Sequence, residues 1–387
     1  MPKQVIVQSS IEAVEIIETP IPTPLSKEIV IKVVVSGTNP KDWKYPLWRN
    51  LPHNSGDDIA GIVYAVGNHV YEFKPGDRVA ALHLFGKENG SFAEYAVAPD
   101  WTTFHVPNSV TFEEAATIPL SALTAAIALY VDMRLPAPYN LTKPIGDPQK
   151  SPILIYGVTS AVGAFAAKFA RLSGMGPIIG VAGRASDFAR TLVDFVVDYR
   201  NGEDELVVAI EDILIREGLH NKLPNVFDAI SENGSLEATV RLIEPNGGIV
   251  CTVLPPKMFA RDKEGFAYPS GVKAYNSAVP QVHSTHKDFG YLWSRYLGRL
   301  LEEGTLKAHP FEVIPGGLHG VLTGLKNLKN GKASAVKYVY RIGDTKDMAM
   351  SGGANDVNGA SGQAAGHRHQ PTQDNHLLRD FPFPSEN

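Results

Sequence analysis

The segment Ile153-Leu-Ile-Tyr-Gly157-Val-Thr-Ser160-Ala-Val-Gly163-Ala-Phe-Ala-Ala-Lys-Phe-Ala-Arg171 joins an apolar, β-branched run to a helical pattern through a glycine-containing turn. That order is the strand–turn–helix in which the first helix of a doubly wound sheet points its N-terminus at a dinucleotide pyrophosphate. Gly157 suits the tight turn, and Gly163 suits close packing of the helix on the strand. The middle glycine of G-x-G-x-x-G is absent, with Ser160 near its place. The turn alone therefore reads either as a dinucleotide site or as a buried βα turn without a ligand.

The residues that follow favour the first reading. Pro177-Ile-Ile-Gly-Val-Ala182 reads as the next strand and ends in Gly183-Arg184. A site for the non-phosphorylated cofactor carries Asp or Glu there to hold the ribose hydroxyls. This chain has no carboxylate at that strand end, and Arg184 is placed to pair with a 2′-phosphate through charge-assisted bonds. Phe195-Val-Val-Asp-Tyr199-Arg200 reads as a third strand, with Tyr199 and Arg200 closing the same pocket. The alternative is that both arginines are solvated loop charges. The phosphate reading selects NADPH over NADH.

Composition sets outer limits. The chain has 387 residues and 44% hydrophobic content, enough for one large core or two medium ones. A net charge of −5 argues against a nucleic-acid partner, and no basic run suggests a membrane surface. The single cysteine, Cys251, leaves no disulfide framework and no C-x-x-C zinc cluster. The N-terminus lacks the pattern of a signal peptide, and no apolar run stands out as long enough to span a bilayer. The expectation is a soluble, cytoplasmic protein.

Residues 1–125 carry short strands and turn signals, such as Glu28-Ile-Val-Ile-Lys-Val-Val-Val35 and Arg78-Val-Ala-Ala-Leu82 after Lys74-Pro-Gly-Asp77. They read as a β-rich unit. Residues 126–304 contain alternating strands and helices, the pattern of a parallel α/β sheet. The stretch Arg134–Pro152, with five prolines, reads as an extended connector or surface loop. Residues 305–343 return to strand-like text, ending in Ala335-Val-Lys-Tyr-Val-Tyr-Arg-Ile342. Residues 344–387 are poor in large apolar side chains and read as a disordered tail. His367 and His369 lie there.

Several motifs carry a family resemblance. They are Asn39-Pro-Lys-Asp42-Trp43-Lys44, Gly56-Asp57-Asp58-Ile-Ala-Gly61, Lys74-Pro-Gly-Asp77-Arg78-Val79, Gly90-Ser-Phe-Ala-Glu94-Tyr95 and Ala115-Ala-Thr-Ile-Pro119-Leu-Ser-Ala-Leu-Thr124-Ala125. In this order they resemble the medium-chain dehydrogenase/reductase superfamily, in its zinc-independent quinone and enoyl reductase branch. The likeness is closest to fungal trans-acting enoyl reductases of secondary metabolism and runs from about residue 5 to residue 342. It implies a GroES-like catalytic domain beside a Rossmann domain, with the active cleft between them. The superfamily's zinc enzymes place a cysteine near Thr38 or Asn39 and a His-Glu where Asp57-Asp58 stand here. Zinc needs three or four well-placed ligands, and with His53 and His83 scattered, no catalytic zinc is expected.

The resemblance also implies roles. The N–H groups of Thr159, Ser160, Ala161 and Val162 should hold the pyrophosphate at the Gly157–Gly163 turn. Gly183, Arg184 and Ser186 should meet the adenosine phosphate, with Tyr199 against adenine. Val253 and Leu254 close a strand expected to hold the carboxamide, and Val336 and Lys337 lie on a returning segment expected to reach the cofactor. Pro40 and Asp42 share the Pro40–Lys44 motif at the cofactor, and Pro119, Leu120 and Thr124 should line the substrate side. Lys44, with Tyr45 as runner-up, is the candidate to stabilise an enolate or donate a proton. The alternative leaves Lys44 solvated or touching the cofactor. The reaction expected is hydride transfer from NADPH to an activated double bond. Its acceptor is an enoyl thioester, free or carried by a polyketide synthase, or an enone or quinone. A non-catalytic NADPH sensor is the third reading. Pro280, lacking a donor in the stretch where dimeric relatives pair strands, favours a monomer over a homodimer.

Overall fold

The computed structural model describes residues 1–140 and 151–346. Within them, strands β1 (Lys3–Val7) and β2 (Val14–Glu18) form an antiparallel hairpin. Strands β3 (Glu28–Gly37), β4 (Asp58–Val66), β5 (Arg78–Leu82), β6 (Tyr95–Pro99) and β7 (Thr103–His105) then build an antiparallel sheet. Val and Ile dominate β3 because branched side chains pack well on a pleated surface. Its Ile29, Ile31 and Val33 join Val5, Val7, Ile59, Val79 and Phe92 in one core.

The second sheet is parallel throughout. It is built from β8 (Ile153–Tyr156), β9 (Ile178–Ala182), β10 (Phe195–Asp198), β11 (Asn225–Asp228), β12 (Asn246–Thr252) and β13 (Gly271–Asn276). Its order, β10-β9-β8-β11-β12-β13, reverses direction beside β8. Such a switch point opens a crevice at the carboxyl ends of the strands. The doubly wound sheet and the GroES-like partner are thus both present.

The chain then returns to the first sheet through β14 (Phe311–Val313) and β15 (Lys337–Arg341). Gly37 at the end of β3 pairs with Asp58 of β4 on one side and Val339 of β15 on the other. Three chain segments therefore converge at one corner. A side chain on Gly37 would place its Cβ 2.2 Å from the Ala116 carbonyl oxygen, so the corner closes only around glycine.

Several sequence expectations need correction. The run Phe112–Asp132 is helical, 21 residues long and apolar enough by composition to cross a membrane, contrary to the expectation that no run approaches that length. However, 83% of its 18-residue apolar window is buried inside the protein. Its helix Pro119–Ala126 and the π-helical turn Ile127–Asp132 pack among Phe165, Phe169 and Trp293, the behaviour of a core helix. Strand β12 stops at Thr252, so Val253 and Leu254 lie just beyond it. Strand β15 starts at Lys337, because Ala335 takes a left-handed φ of 54°. Pro280 lies in the short helical turn Val279–His283, beyond β13. Residues 344–346, expected to belong to a disordered tail, are held in place: Thr345 Oγ1 accepts the Leu318 N–H at 2.9 Å, and His319 Nε2 lies 2.9 Å from the Lys346 carbonyl. Residues 347–387, including His367 and His369, lie outside the described residues, as do residues 141–150 of the connector.

Candidate active site

A cleft of about 590 Å³ runs between the two sheets. From the parallel sheet it is lined by Gly157, Thr159, Ser160, Ala161 and Val162, by Gly183, Arg184 and Tyr199, and by Val253 and Leu254. From the other side come Pro40, Lys44 and Tyr45, then Leu120 and Thr124, and finally Val336 and Lys337 of the returning segment. Thr38 and Tyr338, 300 positions apart in sequence, thus share one cavity.

The dinucleotide end is shaped by backbone. Gly157 has φ +73°, a conformation that costs other residues strain. Ser160 caps the helix Ala161–Leu172, its Oγ accepting the Gly163 N–H at 3.0 Å. The first N–H groups of a helix lack intrahelical partners and favour an anion, and Ala161 and Val162 hold those positions at the cleft wall. A Cβ on Gly183 would lie 2.8 Å from the Tyr199 ring, so the absent side chain lets that ring close over the strand end. These features fit a nicotinamide dinucleotide lying along the switch point.

Arg184 is exposed and donates from Nη2 to the Gly331 carbonyl at 3.0 Å, bridging the two lobes at the cleft edge. Arg200 turns away. Its guanidinium grips the Asp198 carboxylate, with Nε 3.0 Å from Oδ1 and Nη2 2.5 Å from Oδ2.

Four further expected site residues do not line the cleft. Gly163 lies beneath the turn, where a Cβ would meet the Gly157 carbonyl oxygen at 2.3 Å. Ser186 opens the helix Ser186–Arg190 one step beyond the lining. Pro119 is buried at the first position of its helix. Asp42 is fully buried: it accepts the Asn39 N–H at 2.7 Å and closes a capping box on the helix Pro40–Arg49. Its carboxylate is spent on the helix, not on a ligand.

The other end of the cleft holds two buried lysines. Lys44 lies 3.4 Å from Glu232 Oε2, with the rings of Trp43, Trp48 and Phe259 at 5.4, 5.7 and 5.4 Å. Burial pushes its ammonium below the ordinary lysine range, and the Glu232 carboxylate opposes that shift. Tyr45 stands edge-on to Phe85 at 5.0 Å and is 7% exposed.

Lys337 is more deeply placed. Its ammonium pairs with Asp58 and donates to Asn39 Oδ1 at 2.9 Å and Ser121 Oγ at 3.2 Å. Asp58 also accepts from Asn39 Nδ2 at 2.8 Å and from the Leu120 N–H at 2.7 Å. This network ties together the corner at Gly37 and forms part of the cleft wall through Asn39, Ser121 and Lys337. Sequence reasoning missed Asn39, Ser121 and Glu232 as site residues. The available signal was Lys337 itself: a lysine inside the apolar run Val-Lys-Tyr-Val-Tyr must find a counter-ion if buried.

The neighbouring carboxylate, Asp57, is taken by Lys41, whose Nζ lies 2.6 Å from it and 3.2 Å from Asp42. Burial raises both carboxyls while the Lys41 ammonium pulls them down. His83 sets its ring nitrogens 2.7 Å from the Val97 carbonyl and 3.0 Å from that of Lys87. Among the described residues, no group of three or more His, Cys, Asp and Glu is arranged to hold a metal ion.

Comparison with known proteins decides the family. The chain is 40% identical over 314 residues to the trans-enoyl reductase fsr4 of Gibberella fujikuroi, covering 79% of this chain and 89% of that protein. The chain belongs to the trans-enoyl reductase family of medium-chain dehydrogenase/reductases. As a member of that family it is an oxidoreductase. The trans-enoyl reductase ACTTS2 of Alternaria alternata is 32% identical over 352 residues, covering 88% of this chain and 98% of that one. Residues 26–108 match the alcohol dehydrogenase GroES-like domain. Two solved structures share the fold of this trans-enoyl reductase family member. The CurK enoyl reductase superposes with a TM-score of 0.70 at 19% identity, covering 87% of this chain and 98% of CurK. The quinone oxidoreductase of Coxiella burnetii gives 0.66 at 21%, covering 88% and 99%.

Proposed function

We propose that this chain reduces the double bond of an α,β-unsaturated acyl thioester with NADPH, without zinc, on substrates carried by a separate polyketide synthase. The observation that carries this reading is the single cleft that joins a dinucleotide turn to buried ammonium groups. The two carboxylates at the position of the zinc enzymes' His-Glu are each engaged by a lysine. The names of the trans-enoyl reductase relatives support the substrate class.

Bound NADPH supplies the hydride that adds to the β-carbon. The helix N-terminus at Ala161 and Val162 binds pyrophosphate, and Arg184 leaves the Gly331 carbonyl to pair with the 2′-phosphate. As the β-carbon gains the hydride, negative charge moves onto the thioester oxygen and the α-carbon. Lys44 stabilises that charge as an ammonium, and a proton taken up from solvent at the α-carbon completes the saturated product. The aromatic walls at Tyr45, Trp48 and Phe85 exclude water and orient the acyl group.

The test follows NADPH and NADH absorbance with purified protein, a short enoyl thioester and an ortho-quinone, with and without chelator. The expected result is NADPH-selective, chelator-insensitive turnover of the thioester. Arg184→Ala should weaken NADPH binding about 10- to 100-fold, the value of a charged hydrogen bond, and leave NADH unaffected. Turnover of quinone alone would move the chain to a quinone reductase. An equal loss for both cofactors would remove Arg184 from the phosphate.

A further inference from the structure

Glu232 was not anticipated from sequence, and the chain invests an unusual backbone in presenting it. It lies on the loop between β11 and the helix Ser235–Leu242. Ser231 and Asn233, on either side of it, both have φ of 58°, and Gly234 has φ of 92°. Non-glycine residues held left-handed cost free energy and persist only where surrounding structure imposes them. Here the imposing group is Asp228, which accepts the N–H groups of Ile230 at 3.0 Å and Ser231 at 2.8 Å and the Ser235 hydroxyl at 2.6 Å. Ser231 Oγ donates to the Asp228 carbonyl and accepts the Val253 N–H, both at 2.9 Å. A loop fixed this firmly aims its side chain.

The target is Lys44 on the opposite lobe. The helix Pro40–Arg49 contributes Lys44, Trp43 and Trp48, whereas the parallel-sheet lobe contributes Glu232 and Phe259. The Trp48 and Phe259 rings meet at 6.2 Å across the same boundary. The enclosure around the ammonium is therefore built half by each lobe. Two other ammonium groups lie nearby. Lys41, one turn earlier, is held by Asp57 and Asp42. Lys329, from the helix Val321–Lys329, lies 5.9 Å from the Trp43 ring.

We propose that Glu232 is a positioning residue for Lys44: it reaches across the cleft and aims the ammonium at the reacting acyl group. The inference rests on the reading of Lys44 as the group that works on the acyl substrate. It makes the setting of the lysine depend on both lobes, because neither lobe alone encloses it.

The experiment uses the full chain with Glu232→Gln and Glu232→Asp, both checked for unchanged Tm. The first readout needs no cofactor: the rate at which formaldehyde and borane methylate Lys44, measured by peptide mass spectrometry between pH 7 and 10. The second is the pH profile of kcat/KM with an enoyl thioester. Glu232→Gln should methylate faster at Lys44, because the neutral amine reacts and the carboxylate no longer favours the ammonium. The basic limb of its pH profile should move to lower pH. Its kcat should fall about tenfold or more with KM for the thioester little changed, the mark of lost alignment, and Glu232→Asp should recover part of both. Unchanged methylation together with an unchanged pH profile overturns the proposal. If the wild type turns over no enoyl thioester, the proposed function fails, and the methylation comparison still decides whether Glu232 governs Lys44.

Discussion

The buried pair of Asp58 and Lys337 yields the sharpest stability prediction. Asp58 is 0% exposed and Lys337 4%. All three ammonium protons of Lys337 have named acceptors, in Asp58, Asn39 and Ser121. Removing one member of such a pair strands a charge that is almost wholly withdrawn from water. Breaking a buried pair from one side costs about 3–5 kcal/mol, whereas replacing both members by neutral groups of similar shape is near neutral. Asp58→Asn and Lys337→Met should each fall in that range, because each leaves its partner's charge unpaired. Asp58→Asn keeps an oxygen for the Leu120 N–H, so the double variant retains the backbone contact and loses both charges. The double variant should therefore sit within about 1–2 kcal/mol of wild type, giving a coupling of several kcal/mol. Urea unfolding of the full chain, followed by tryptophan fluorescence at constant slope, measures all four corners of the cycle. If either single variant costs under about 1 kcal/mol, or the double costs the sum of the singles, then the pair is not the buried, mutually compensating unit described here.

Two further outcomes are expected. Gly163→Ala should lower Tm and weaken NADPH binding: its Cβ would stand 2.3 Å from the Gly157 carbonyl oxygen, and overpacking of about 1–3 kcal/mol exceeds the roughly 1 kcal/mol gained in helix propensity; a rise in Tm would contradict this. Burial pushes the Asp228 carboxyl up to about 6, so the folded state keeps a proton that the unfolded chain loses near pH 4. Wild-type stability from this group is full below pH 4 and declines by about 3 kcal/mol as pH rises through 6. Asp228→Asn removes that decline, and parallel pH–stability curves for the two proteins would refute the assignment.

What could be read from sequence was local. Gly157, Ser160 and the alanine-rich helix after them announce a strand–turn–helix because the Ser160 cap on Gly163 lies within the turn itself, whereas the Val181 carbonyl that accepts the Gly157 and Val158 N–H groups comes from the neighbouring strand. Arg184 and Tyr199 could be placed from strand ends alone, since each βα turn of a parallel sheet opens on the same edge. Asp42 shows where such reading misled. Its place in a family motif suggested a ligand, although Asn39-Pro-Lys-Asp42 also has the spacing of a capping box, and the helix took the carboxylate. Arg200 misled for a similar reason, since Asp198 two residues earlier was the nearer partner.

The order of elements, the position of the dinucleotide turn and the residue types available to a cleft follow from periodicity, turn chemistry and composition alone. Which charges meet is settled by the folded packing. Lys44 and Glu232 are separated by 188 positions, and Asp58 and Lys337 by 279. No local rule links such residues. Their pairing is set by the register that brings Asp58, Gly37 and Val339 side by side, and by the left-handed loop that carries Glu232 to the other lobe. A buried charge must be matched, but the strand that delivers its partner is chosen by the packing of the whole sheet.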